Sequence, residues 1–419
     1  MLKKITALLF LLFFTFSVSS FSEEIYSESL ETLSLKDAFT LSLQSHPIIK
    51  AKRSDIEASK SGIDVAKWQR FPSVSSQTLP GRVGSGTSIL LRIQQPLWAG
   101  GRITSGIDAA EAKAIGSEAS FIDAEQQIIS RVSNAYFDYL KFQEKIRLST
   151  INIQEHQRLL EIISRRSESE VSSQNEIVMA RSRLSTAVNE RIQFSSQFHN
   201  AKADLEQLTG QKFKKLTIEK FKINTDINNI DHYLSKAVEF SPGLKKIDAD
   251  WQAAKLQIEV KKASLWPQLS LNVDNYTGST YPDHMVYLSL GYQSGNGLST
   301  VSSIQEAKSQ SATFEQNFEA SKKDLQDKLR IDFYLLNTSV NSEKVLIDLA
   351  NSNKDVYESF LRQYSIGKKT WLEVLNSRKE ATQAEYSRTD AKWTSFQADF
   401  RIQSAIGAIN STNINNFLN

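Results

Sequence analysis

The strongest constraint on this chain is that it is one unit written twice. A shift of 195 places His46-Pro47 on Ser241-Pro242 and Phe71-Pro72 on Trp266-Pro267. Between those pairs Lys50/Lys245, Asp55/Asp250, Ala58/Ala253, Lys60/Lys255, Ile63/Ile258, Val65/Val260 and Lys67/Lys262 are identical. Glu111-Ala112-Lys113 falls on Glu306-Ala307-Lys308 at the same shift. Farther along the shift becomes 197, where Glu176-Ile177 meets Glu373-Val374 and Arg181 meets Arg378. A register held this long makes residues 35–210 and 230–407 tandem copies, so the fold must repeat as well.

Within each copy the hydrophobic period changes in a fixed order. Residues 48–70 and 243–265 read as helix, each closed by an aromatic-Pro pair that cannot continue it. The pattern then alternates, as a strand does. Ile89, Leu91 and Ile93 face away from Arg92 and Gln94; Leu269, Leu271 and Val273 face away from Ser270, Asn272 and Asp274. Leu288 and Leu290 face away from Tyr287 and Ser289. Hairpins are expected at 73–97 and 268–293, turning at Pro80, Gly81, Gly84 and Gly86, and at Gly278 and Pro282. Segment 73–82 is weakly patterned, with Val74 and Leu79 its clear apolar residues. Arms of about ten residues match a tilted membrane-spanning strand. Long helices follow: 101–164 and 175–209 in the first copy, 300–364 and 371–406 in the second. Ile107, Ala114, Phe121, Ile128, Ala135 and Phe142 recur every seven residues, as do Phe333, Val340 and Ile347. Such heptads require helix packed on helix.

Lys3 and Lys4, the apolar run Ile5–Phe16 and the small residues after it form a signal peptide, expected to be cleaved near residue 22. That run is too short to span a membrane, and no other stretch reaches 18 apolar residues. A membrane-inserted protein must therefore use its strands. Four strands cannot close a barrel, and an open edge is not tolerated in lipid. Two protomers would supply eight strands and three would supply twelve; only the larger number leaves a through-channel. Ile89, Leu91, Ile93, Leu269, Leu271, Val273, Leu288 and Leu290 are expected to face lipid, and Arg92, Asn272 and Asp274 water. The layout is then a signal peptide (1–22), a first repeat (23–210), a linker (211–229), a second repeat (230–407) and a tail (408–419). The fold class is α+β: long helices with two β-hairpins per chain.

This order resembles that of the TolC family of outer-membrane efflux ducts, over about 33–410. Gln95-Pro96-Leu97-Trp98-Ala99-Gly100-Gly101-Arg102 resembles the family's element between the second strand and the long helix. Tyr364-Ser365-Ile366-Gly367-Lys368-Lys369-Thr370-Trp371-Leu372-Glu373-Val374-Leu375-Asn376 resembles its turn between the last two helices. Arg165-Arg166-Ser167-Glu168-Ser169-Glu170-Val171-Ser172, followed by Ala180-Arg181-Ser182-Arg183-Leu184, is similar to the subgroup serving type I secretion, including export of large adhesins. The resemblance implies a homotrimer with a twelve-stranded barrel in outer-membrane lipid, a periplasmic tunnel of helices, and an equatorial belt from the linker and tail. It implies a periplasmic adaptor and an inner-membrane ABC transporter or other pump as partners. Gly367, Thr370, Trp371, Val171 and Ser172 would form the adaptor-contact tip. Glu373 and Asn376 would line the closed aperture, with Arg165, Arg166, Lys368 and Lys369 pairing with Glu168 and Glu170 across neighbouring tips. One departure stands out: the first tip has Glu170 where the second has Gly367, which leaves the family's turn and adaptor contact open at the first tip.

Chemistry is sparse. The chain has no Cys, which excludes disulfides, Cys-ligated zinc, a thiol nucleophile and a lipidated N-terminus. His46, His156, His199, His232 and His284 show no ligand spacing and read as structural or solvated. Gly81–Ser88 mimics a phosphate loop, but Thr87 stands where the Lys is needed and a strand follows. Lys+Arg 50 against Asp+Glu 47 leaves +3, which gives no basic face for nucleic acid. No cofactor, metal or catalytic residue is expected, and energy for transport must come from a partner. Two alternatives stand beside protein export: the same duct serving small-molecule or drug efflux, and a periplasmic helical scaffold with no pore.

Overall fold

A computed structural model describes residues 30–79, 87–218, 221–277, 284–293, 295–411 and 413. The expected signal peptide, the turn residues Pro80, Gly81, Gly84, Gly86, Gly278 and Pro282, and most of the tail lie outside these. The first repeat runs β1 (Leu30–Leu33), α1 (Leu35–Ser45), α2 (Pro47–Trp68), β2 (Ser73–Leu79), β3 (Ser88–Trp98), α3 (Arg102–Glu168) and α4 (Gln174–Thr209). After β4 (Phe213–Leu216) the order returns: α5 (Ile230–Phe240), α6 (Pro242–Lys262), β5 (Gln268–Thr277), β6 (His284–Gly291), α7 (Ser299–Ser365) and α8 (Trp371–Ala405).

The same local chemistry starts the paired helices. Pro47 and Pro242 occupy the first turn, where a missing N–H is harmless. The preceding residue caps each helix: His46 Nδ1 accepts from the N–H of Ile48 at 3.3 Å, and Ser241 Oγ from that of Leu244 at 3.2 Å. The aromatic-Pro pairs then release the chain into extended backbone. All four long strands join in one antiparallel sheet, ordered β2-β3-β5-β6, so the hairpins of the two repeats share a seam between β3 and β5. A second, two-stranded parallel sheet pairs β1 with β4. It is too short and too weakly patterned to stand out in the sequence.

Helices α3 and α7 each have 67 residues, about 100 Å at 1.5 Å per residue. Helix α3 pairs with α4 and α7 with α8, and the two hairpins meet along α3 and α8. Of the heptad residues, Ile107, Ala114, Ile128, Ala135 and Phe333 are buried, as are Leu329 and Leu336 beside Phe333, whereas Ile347 stays 37 % exposed. At the widest core, Phe137 packs on Phe221, Trp393, Phe396 and Phe400 with ring centroids 4.9–6.1 Å apart. Polar rungs cross the hairpin seam from there toward the tips: Gln397 to Asp138 at 2.9 Å, Lys145 to Asp390 at 2.7 Å, and Thr382 to Asn152 at 2.9 Å.

The linker between the repeats is tied to this core by one carboxylate. Asp399 is fully buried and accepts from the backbone N–H of Thr225 at 2.9 Å and of Asn224 at 3.2 Å. Burial pushes its carboxyl above the usual range, and the hydroxyl and N–H donors from the linker pull it back. Gln403 adds a bond to Thr225 Oγ1 at 2.9 Å. Replacing Asp399 with Ala leaves the Thr225 N–H buried without an acceptor, a cost of about 1–3 kcal/mol. The linker should then be cleaved sooner in limited proteolysis at 221–229, whereas cleavage at the wild-type rate would mean that Asp399 does not hold it.

Candidate functional site: a two-faced sheet and two helix-hairpin tips

The register of the four-stranded sheet sorts its residues onto two faces. Ile93 pairs with Val273, Leu271 with Leu288 and Leu269 with Leu290, all on one face. Ile89, Leu91, Ile93, Leu288 and Leu290 of that face are 39–70 % exposed, and Leu269, Leu271 and Val273 are half-buried between the outer strands. The opposite face carries Arg92, Gln94, Ser270, Asn272, Asp274, Tyr287 and Ser289, linked by side-chain hydrogen bonds. An apolar face left open to the surroundings, backed by a hydrogen-bonded polar face, suits a wall between lipid and water.

The base of the sheet turns into the helices through a tight junction. Gly100 has φ +60°, and a Cβ there would lie 2.8 Å from Cβ of Trp266, the aromatic of the second repeat's aromatic-Pro pair. Only glycine lets the β3–α3 turn seat against that residue. Around the junction Trp68, Phe71, Leu97, Trp98, Trp266 and Tyr292 are all 47–67 % exposed. Their position at the strand ends is that of an aromatic belt at a membrane interface. In the sequence only Phe71 and Trp266 stood out as parts of helix-ending pairs; the fold gathers the others beside them at the strand ends.

At the far end of the helices the two tips have the same backbone. The N–H of Lys368 bonds to the carbonyl of Gln363 and that of Gly367 to Tyr364, at 2.9 and 3.0 Å. In the first tip the N–H of Val171 bonds to Arg166 and that of Glu170 to Ser167, also at 2.9 and 3.0 Å. Both are glycine-type helix ends, with φ +75° at Gly367 and φ +57° at Glu170. The question left open at the first tip is thus answered for the turn: Glu170 adopts it, at the roughly 1–2 kcal/mol that a left-handed conformation costs a non-glycine residue.

Each turn is followed by a reciprocal cap, Ser173 with Glu176 and Thr370 with Glu373. Glu373 accepts from the Thr370 N–H at 2.8 Å and from Lys369 Nζ at 2.7 Å. The bond from Lys369, then those from Thr370, hold its carboxyl down at about 2. Arg165 pairs with Glu161 at 3.6 Å, and Arg166 lies over the Tyr364 ring at 4.8 Å. Asn376 accepts from Arg183 at 3.4 Å. Within the chain, then, Lys369, Arg165 and Arg166 turn to partners other than Glu168 and Glu170, which are exposed together with Lys368. Val171 and Ile366 are 64 and 66 % exposed, and Ser172 Oγ lies 3.4 Å from Tyr364 Oη. Trp371 corrects an expectation. It is 1 % exposed, packed at 5.1 Å on the Tyr364 ring among Leu159, Ile163 and Val374, and so anchors the tip from inside instead of touching an adaptor.

The sequence pattern of the family described as outer membrane efflux protein matches residues 39–211 and 233–408. The chain belongs to that family. It is 20 % identical over 323 residues to the outer membrane protein TolC of Vibrio cholerae, covering 74 % of each chain. It is 22 % identical over 323 residues to the pyoverdine export outer membrane protein OpmQ of Pseudomonas putida, covering 72 % of this chain and 67 % of that one. A solved membrane protein from Pseudomonas aeruginosa shares the fold with a TM-score of 0.79 at 17 % identity, over 89 % of this chain and 93 % of that one. This outer membrane efflux protein thus resides in the outer membrane, and its two matched stretches each hold one helix pair, one hairpin and one long helical hairpin.

Three outcomes follow for it. Leu271→Arg should impair membrane insertion by roughly 2–4 kcal/mol and Asn272→Arg far less; equal effects in a folding assay with lipid vesicles would invert or erase the two faces. Gly367→Ala has open space around it, so its loss of about 1–2 kcal/mol is all backbone, and it should raise amide exchange at 364–371; exchange unchanged there would contradict the left-handed turn. The Glu373 cap is charged and complete above the ordinary carboxyl value of 4.5 and fades as the pH falls toward about 2. Amide protection at Thr370 should follow that window; protection lost already at 4.5 would show that Lys369 and Thr370 do not hold the carboxylate.

Proposed function

We propose that three copies of this protein form the passive exit duct of a tripartite export system, with protein as cargo. The observation that carries the assembly is a missing contact. Helix α6 of the second repeat packs between α3 and α7, whereas its counterpart α2 packs on α3 and, among the described residues, makes no comparable contact with a second long helix. The repeat demands a matching partner for α2, and the α7 of a neighbouring copy is the equivalent surface. Ile331, Tyr334, Val345 and Leu349 on α7, with Val178, Val188 and Ile192 on α4, are 40–67 % exposed and supply apolar area for that contact. Three copies bring twelve strands, enough for a lumen.

The tips then gather at the axis. Glu373 of each copy would approach the mouth already paired with its own Lys369, so the acidic ring is partly neutralised. Lys368, Glu168 and Glu170 are exposed and could bond between tips, and Arg165 could exchange its pair with Glu161 for one of them. Exposed pairs contribute only ~0–1 kcal/mol each, so an adaptor needs to supply little to open the mouth. Gly367, Thr370, Val171 and Ser172 form the accessible rim it would meet. The Arg165–Ser172 and Ala180–Leu184 segments, similar to those of type I secretion ducts, favour protein as cargo and an ABC transporter as pump. The likeness to a protein named for pyoverdine export favours small-molecule cargo as the second reading. Deleting the gene separates them. Loss of a large surface or secreted protein from the medium, with drug and metabolite tolerance intact, is expected; the reverse pattern would make this a small-molecule duct.

A further inference from the structure

The polar face of the sheet holds a charge pair that the duct reading leaves unused. Arg92 and Asp274 are the only Lys, Arg, Asp or Glu residues on the described strands β2, β3, β5 and β6. They face each other across the seam between the two repeats. Arg92 Nε donates to Asp274 Oδ1 at 2.8 Å and Nη2 to Oδ2 at 2.7 Å, a two-pronged pair. Tyr287 on β6 donates to the same Oδ2 at 3.1 Å, so the carboxylate is held from both neighbouring strands. The Asp274 side chain is 1 % exposed, while that of Arg92 is 36 % exposed.

Its height matters. Arg92 lies six residues from Trp98, the aromatic at the strand base. That is about 20 Å along the strand at ~3.3 Å per residue, or roughly 15 Å of height at a ~40° tilt, near the middle of an apolar band of about 25 Å. Twelve strands spaced ~4.8 Å apart at that tilt enclose a radius of about 12 Å at the backbone. A side-chain charge pointing inward then lies within roughly one Debye length, ~8 Å at physiological salt, of the axis.

We infer that Arg92 and Asp274 set the charge selectivity of the barrel lumen: paired, they cancel and leave the barrel blind to the sign of what passes, and either one alone imposes a filter. This rests on the duct reading and on the polar face being the lumen. A cross-strand staple of purely structural value would also join the two repeats. It would make no difference to ions in the lumen, and that separates the two roles.

The test uses the full chain in planar bilayers, with inositol hexakisphosphate or hexaamminecobalt(III) added on the barrel side. Wild type should show only the weak block that charges elsewhere in the duct, such as Glu373, impose, and that block sets the baseline. Asp274→Asn leaves three guanidinium groups unpaired around the axis and should be blocked by the polyanion at about tenfold lower concentration than wild type. Arg92→Gln should show the same gain toward the trivalent cation. The double variant, again neutral, should behave as wild type does. Single variants that conduct and are blocked no more readily than wild type overturn the inference, as does a double variant that keeps either block. If Asp274→Asn fails to assemble, Arg92→Gln decides the matter alone, since its carboxylate remains. A wild-type chain that does not conduct at all removes the duct reading, and the inference with it.

Discussion

Everything in this molecule depends on two open sheet edges. Among the described residues, strands β2 and β6 each have one side without a partner, and the sheet between them has one apolar face. In hydrocarbon an unpaired backbone N–H or C=O costs several kcal/mol, and an edge offers a row of them. The edges must therefore meet edges of other copies. The proposed assembly meets the same requirement in the helices by setting α2 against the α7 of a neighbouring copy. In the proposed trimer a single chain is a third of a wall, and the repeat within it makes the boundary between copies resemble the boundary between repeats.

Much of this was legible from residues alone because the signals were long and periodic. The aromatic-Pro pairs, the alternating Leu269–Val273 run and the heptads over α3 and α7 fix type and order over tens of residues. Short elements were not. The β1–β4 pair has four residues a side and is held by contacts 183 residues apart, such as Leu30 with Phe213. No local pattern announces it.

The site divides in the same way. The two faces of the sheet were readable because period two is strict. The tips were read by composition and partly misjudged. A glycine missing at 170 left the first turn open, yet Glu170 is forced into the left-handed conformation by the two hydrogen bonds that close the helix end. Trp371 looked like a surface contact because it follows the turn, but at the first position of α8 its side chain points back into the hydrophobic cluster beneath Tyr364. Glu373 bears an aperture-type carboxylate and is also the third residue of a helix cap; sequence displays both roles and only geometry shows how they share one side chain. The Arg92–Asp274 pair could have been suspected from two isolated opposite charges at opposed strand positions, but the pairing register was needed to bring them together.

The central claim is that the chain is stable in a membrane only as a closed ring of three. Native mass measurement of the purified, membrane-extracted protein in mild detergent tests it most directly. The account predicts a single species of three copies, resistant to dilution. A monomer that stays folded and inserted in lipid would contradict it, because the edges of β2 and β6 would then be tolerated where no physical account allows them.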